Sequence, residues 1–131
     1  MKRLFLALII ITLASTPVFA LEFTLTGSEV TATYTEPTTN ADGSSLKDLA
    51  KTIIFYDIVG DGFPEVKAVE VSATALTGGG IIIQTVLVPI IANQEADVDF
   101  WATAVDLSGN SSDKSTVVRK RIDRLAPGTP Q

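Results

Sequence analysis

Carboxylates are the side chains of this chain whose spacing comes closest to chemistry. Asp97 and Asp99 stand at i and i+2, on one face if the segment is a strand. Asp57, Asp61 and Glu65 gather around Gly60 and Gly62. Two carboxyl groups of unequal acidity can run glycoside hydrolysis. Hard oxygen ligands beside turns can hold calcium, and two runs offer them: Asp61 with Glu65, and Asp106 with Asn110 and Asp113. Neither run has the spaced acids and terminal Glu of a twelve-residue calcium loop. Asp106 is better suited to capping its turn through backbone N–H groups. The other acids are expected on solvent faces and strand ends, where carboxylates usually sit.

Composition removes most other chemistry. The 131 residues include no His and no Cys. That excludes Ser-His-Asp and Cys-His nucleophiles, imidazole and thiolate metal sites, and disulfides. No base that titrates near neutral pH is at hand. The sequence therefore points away from an enzyme, a cofactor or a bound metal. Ten basic residues against fifteen acidic ones give a net charge of -5, which disfavours nonspecific nucleic-acid binding. The basic cluster Arg119-Lys120-Arg121 with Arg124 is read as charge protecting an outer strand from foreign pairing.

Residues 1–20 read as a secretory signal peptide. Lys2 and Arg3 precede the apolar stretch Leu4–Ala14, and Val18-Phe19-Ala20 fits a cleavage site. The stretch is about 11 residues, against roughly 20 for a bilayer span. The expected product is secreted, extracellular or periplasmic, with no membrane span once the leader is removed. The leader holds two of the ten basic residues and none of the fifteen acids, so the remainder carries -7.

From residue 21 the pattern is that of strands. Glu22–Thr26, Glu29–Thr35, Lys51–Val59, Glu65–Ala75, Ile81–Val88, Asp97–Val105 and Ser115–Ile122 are alternating or β-branched runs. Glycines, Asn40, Asp42 and Pro37 punctuate them. Ser45–Ala50 leaves room for one or two helical turns. The expected organisation is a leader at 1–20, an all-β antiparallel sandwich over 21–123, and a flexible tail over 124–131.

The run Tyr34-Thr35-Glu36-Pro37-Thr38-Thr39-Asn40-Ala41-Asp42-Gly43-Ser44, continued by Leu46–Leu49, resembles the B strand and B–C loop of bacterial fibronectin type III domains. Ile54 and Tyr56 fall where that family has apolar C-strand residues. Ala102-Thr103-Ala104-Val105-Asp106 with Ser108-Gly109-Asn110-Ser111 resembles its F strand and F–G turn. Tyr34 stands where the family has a core Trp, and Val98 where it has the Tyr of the tyrosine corner. Residues 60–96 match poorly. The resemblance implies a seven-stranded, immunoglobulin-like Greek-key sandwich without catalysis of its own, in a spacer, adhesion or recognition role.

Two features suggest where such a module would act. If Ile54, Tyr56, Phe100, Ala102 and Ala104 face the core, then Ile53, Phe55, Trp101, Thr103 and Val105 face outward. The resemblance places strands C, F and G side by side, which brings Phe55 and Trp101 together with Arg119 and Arg121 nearby. Aromatics flanked by arginine suit a protein or polysaccharide partner. The second feature is Ile81–Ala92, apolar, β-branched and uncharged. It reads as a core strand; left on an edge, it would promote self-association or assembly with other subunits. A sandwich of this size is expected to lack a deep pocket. Asn110-Ser111-Ser112 fits an N-glycosylation acceptor.

Overall fold

The computed structural model of the chain is described for residues 21–131, so the leader read at 1–20 lies outside the described residues. Seven strands follow one another: β1 (Glu22–Thr26), β2 (Glu29–Thr35), β3 (Leu49–Ile58), β4 (Val66–Ser72), β5 (Ile81–Leu87), β6 (Glu95–Asp106) and β7 (Val118–Asp123). They form two antiparallel sheets, ordered β1-β2-β5 and β4-β3-β6-β7. The expected all-β organisation in two antiparallel sheets holds. In the four-stranded sheet β6 pairs with β3 on one side and with β7 on the other.

Period-two alternation builds both inner faces. From the three-stranded sheet come Phe23, Val30, Ala32, Tyr34, Ile82 and Val86. From the four-stranded sheet come Ile54, Tyr56, Val98, Phe100 and Ile122. Phe100 is fully buried, stacked on Phe23 at 4.8 Å between ring centroids and tilted against Tyr56 at 6.4 Å. It bridges the sheets through an aromatic contact.

The sheets also share a polar bond. Tyr34 on β2 lies 2.6 Å from the Thr52 hydroxyl on β3, in the buried interior. Burial is the main reason the Tyr34 phenol sits above its ordinary pKa, with the charge of Glu36 adding to it. Tyr56 is raised too, by burial first and by Asp61 second. These are the only two tyrosines in the chain. The folded state thus holds phenolic protons that the unfolded chain gives up near pH 10. The stability they contribute is complete below that pH and is lost as pH rises through the folded values. Ultraviolet titration is expected to show both phenolates forming late and together with unfolding. Two ordinary, reversible titrations near pH 10 in the folded protein would contradict this.

Segment 45–50 is not helical. Leu46 and Leu49 are buried, Ser45 bridges to Thr39, and Leu49 already begins β3. One isolated turn cannot repay helix nucleation, whereas two leucines pointing into the sandwich are stabilised by burial. Arg124, just after β7, is tied to the loop before β6. Arg124 donates its N–H to the Gln94 carbonyl at 2.9 Å and its guanidinium to the Ile90 carbonyl. Residues 125–131 are exposed and outside the strands.

The end of β2 is anchored by an acid. Glu36 is only 2% exposed. Its carboxylate accepts the Thr74 N–H at 3.0 Å, the Gly80 N–H at 3.1 Å and the Thr74 hydroxyl. The Glu36 N–H in turn donates to the Gly80 carbonyl at 2.9 Å. The triple glycine follows from this arrangement. A Cβ on Gly80 would overlap Thr74 Oγ1 and the Glu36 carboxylate, and one on Gly78 would overlap the Pro37 carbonyl. Gly78 also has φ +66°, which L side chains avoid.

A recess of about 720 Å³, partly open to solvent, is walled by Tyr34, Leu46, Leu49, Thr52, Ala102 and Ala104 and by residues of the 110–116 segment.

Candidate functional site

The outward residues of the four-stranded sheet lie where alternation puts them. Phe55 stands opposite Trp101, and the rings stack at 5.8 Å with a 10° angle between planes. Ile53 stands between Glu70 of β4 and Thr103 of β6. Arg119 and Arg121 are exposed on the adjoining strand. The structure therefore brings Ile53, Phe55, Trp101, Arg119 and Arg121 onto one face.

Accessibility corrects the picture of an open aromatic platform. Trp101 is only 5% exposed and Ile53 only 7%, although neither belongs to the inter-sheet core. Lys114 covers the indole, its Nζ 4.1 Å from the ring centroid. This contact joins cation–π attraction to shielding by the lysine stem. Phe55 is half-buried.

Lys114 is held in place by two serines. Ser112 and Ser115 each donate N–H to a β6 carbonyl, Ala104 and Ala102, at 2.8 and 2.9 Å. Their hydroxyl oxygens accept the N–H groups of the same two residues, both at 2.9 Å. Each serine thus meets both backbone groups of one β6 residue. The spacing Ser-x-x-Ser opposite Ala-x-Ala places an extra residue in the outer segment. That carries Lys114 across the sheet face above Trp101. The Ser112–Ser115 spacing was the only sequence signal for this cover.

The arginines and the paired acids satisfy each other. Arg119 grips Asp99 with Nε to Oδ1 at 2.8 Å and Nη2 to Oδ2 at 3.0 Å. Arg121 reaches Glu95 at 2.6 Å and Asp97 at 3.1 Å. Asp57 lies opposite Asp99 in the ladder, so Arg119 also offsets a like-charge pair. On the far side Glu70 receives Lys51 and Lys67 at 3.0 and 2.9 Å. Three of the calcium candidates, Asp61, Asp106 and Asn110, are engaged as well. Asp106 accepts the Asn110 N–H at 2.8 Å and its side-chain amide at 2.9 Å, and Asp61 accepts the Phe63 N–H at 2.9 Å. Asp106 thus caps its turn as expected.

The hydrogen bonds from Arg119 hold the Asp99 carboxyl below its ordinary range. A carboxyl depressed in the folded state contributes stability above its unfolded pKa, near 4, and loses it as pH falls through the folded value. The pair is largely solvent-facing, so its effect is small and screened by salt. Wild type is expected to be more stable than Arg119→Met at pH 6 and low salt. That gap should close as pH falls below the depressed Asp99 range or in about 1 M salt. A gap that ignores both would mean the arginine stem stabilises through packing alone.

The edges of the sheets differ more than their faces. β1 carries Glu22, β4 carries Lys67 and Glu70, and β7 carries Arg119, Lys120, Arg121 and Asp123. β5 carries no charge in Ile-Ile-Ile-Gln-Thr-Val-Leu, yet it is an outer strand of its sheet, as β1 is on the other side. The reading of Ile81–Ala92 as a core strand is therefore half right. Ile82 and Val86 are buried, while Ile81, Ile83 and Leu87 are 53%, 70% and 65% exposed. β2 takes one side of β5 and, among the described residues, no strand takes the other.

The register identifies the unpaired backbone groups. Glu36 bonds to Gly80, and the Val88 N–H donates to the Ser28 carbonyl at 3.1 Å. Both pairs lie on the ladder that matches Val30 with Val86. Alternation along an antiparallel pair then turns the even residues of β5 toward β2. The N–H and C=O groups of Ile81, Ile83, Thr85 and Leu87 point to the free edge. Of these, the Thr85 carbonyl accepts the Gln84 side-chain amide at 3.1 Å. Beyond β5, Ile91 is also exposed.

No protein-family model, curated protein or solved structure matches this chain.

Proposed function

We propose that this chain is an exported, non-catalytic module of fibronectin type III type that serves as a subunit of an extracellular or envelope assembly. It joins its neighbours by strand addition at β5. The observation that carries this reading is the edge itself. Among the described residues β5 is the one outer strand without a charged residue, and it presents exposed Ile81, Ile83 and Leu87 beside backbone groups that no described strand pairs. Monomeric β proteins usually protect such an edge with charge, proline or a bulge. Strand addition gives affinity through main-chain hydrogen bonds and specificity through alternate side chains. The division β1-β2-β5 against β4-β3-β6-β7 supports the family reading, as does the pairing of β3, β6 and β7. Export rests on the leader pattern of residues 1–20.

Assembly at β5 takes precedence over capture of a protein or polysaccharide on the Phe55–Trp101 face, because Lys114 covers the tryptophan. The two readings separate in one experiment. Wild type, Ile83→Lys and Phe55→Ser are exported from a producing cell, and the size of the complex containing each is measured in gently prepared envelope and medium fractions. Ile83 is exposed, so the lysine leaves the fold intact. The expected result is a large complex for wild type and Phe55→Ser, and a free chain for Ile83→Lys. A complex lost only with Phe55→Ser would transfer the function to the aromatic face.

A further inference from the structure

We infer that the partner at β5 is a second copy of this chain, paired antiparallel about a two-fold axis at Gln84. The inference rests on the proposed role of β5 and specifies its occupant.

Charge decides which edge a second copy can use. The chain carries a net charge of -5, and -7 without residues 1–20, so two copies repel through most of their surface. Each of the other outer strands carries charged side chains at its edge. β5 carries none. Two acidic chains meet there at the least electrostatic cost.

Hydrogen bonding then selects the register. The free N–H and C=O groups belong to residues 81, 83, 85 and 87, so a partner must match odd residues with odd residues. Centring the pair on Gln84 places Ile83 opposite the partner's Thr85 and Ile81 opposite the partner's Leu87. Both are hydrogen-bonded pairs, and the two-fold repeats each of them. All four odd residues are then satisfied in both chains. A register shifted by two residues in either direction leaves one end of the strand unmatched.

Side chains agree with this register. On the outer face, exposed Ile81 meets the partner's Leu87 and exposed Ile83 meets the partner's Thr85. On the inner face, Ile82 meets the partner's Val86, so the two cores become continuous. Gln84 meets the partner's Gln84 on the axis, where one amide donates to the other. The Gln84 amide leaves the Thr85 carbonyl, which then accepts from the partner's Ile83. The two three-stranded sheets become one sheet of six. A single strand pair buries little area, so the dimer is expected to be weak and concentration-dependent.

The chain has no cysteine, which allows a test by cross-linking. Gln84 sits at a non-hydrogen-bonded pair on the axis, where Cα atoms lie about 4.5 Å apart. That separation falls within the range a disulfide spans. Ile81 is three residues from the axis, so its two copies lie ~20 Å apart. Purified 21–131 chains carrying Gln84→Cys or Ile81→Cys are oxidised in air over a range of concentrations. Light scattering follows wild type and Ile83→Lys in parallel, and circular dichroism confirms the fold of each variant.

The expected result is a dimer that grows with concentration, is lost in Ile83→Lys, and is locked by Gln84→Cys but not by Ile81→Cys. Faster cross-linking at Ile81→Cys than at Gln84→Cys would overturn the register. A wild-type monomer at every concentration, or a dimer indifferent to Ile83→Lys, would overturn the second copy as partner. If that monomer accompanies an Ile83-dependent complex in cell fractions, the assembly reading stands and self-pairing alone fails.

Discussion

Replacing Phe100 with Ala is expected to lower unfolding stability by about 3–5 kcal/mol, the usual cost of removing a buried aromatic. Phe100 has no exposed surface and is the largest of the fully buried side chains. It contacts Phe23 from the opposite sheet and Tyr56 from the neighbouring strand. Truncation removes the transfer free energy of the ring and leaves a void between two sheets whose backbones are held by ladders on both sides. The site cannot collapse without moving β1 against β6. A domain of this size has a total stability of about 5–15 kcal/mol, so the variant retains little margin. Denaturant unfolding should show a lower midpoint with an unchanged slope. Phe100→Leu should cost much less, because it keeps most of the volume. In a double-mutant cycle, Phe23→Ala and Phe100→Ala should combine to less than their sum, since the first already removes half of the stacked pair. Additive losses would mean that the rings are stabilised separately by their own sheets.

Replacing Glu36 with Ala is expected to cost about 3 kcal/mol, because it strips the acceptor from several donors in a closed space. The Thr74 N–H and hydroxyl and the Gly80 N–H all converge on this carboxylate. No cation pairs with it among the described residues. The charge is balanced by aligned dipoles alone, and water has little access to replace the lost oxygens. Glu36→Gln should recover part of the loss. The amide keeps one acceptor oxygen but turns a donor toward groups that are themselves donors. Gly80→Ala should damage the same contact from the other side, since its Cβ would overlap Thr74 Oγ1. Equilibrium unfolding and amide exchange over residues 73–80 measure these effects. An unchanged midpoint in Glu36→Ala would show that the segment is held by packing rather than by the carboxylate. Because Gly80 leads directly into β5, this contact also sets the position of the edge strand.

What local pattern could decide was legible in the sequence. Glu22–Thr26 and Glu29–Thr35 are strands at the residues expected, because period-two alternation and turn residues act over a few positions. The assignment of Ile54, Tyr56 and Phe100 to the core follows from the same alternation. It also placed Phe55 beside Trp101 once β3 and β6 were taken as neighbours. Asp106 was recognisable as a turn cap because its partner is only four residues away.

The remaining features depend on groups distant in the chain. Glu36 is written inside a polar loop, and nothing near it announces burial. Its donors lie 38 and 44 residues onward. The triple glycine looked like a flexible punctuation mark, yet it is needed because other segments occupy the space of its missing side chains. Trp101 was placed on the correct face but not under Lys114, whose position depends on how Ser112 and Ser115 meet β6. The composition of β5 suits a strand buried on both sides, and only the pairing of β2 on one flank makes it an edge. A strand's own residues determine its pleat and its apolar face. Which of its backbone groups remain unpaired is decided by the strands that reach it, and those choices belong to the tertiary structure.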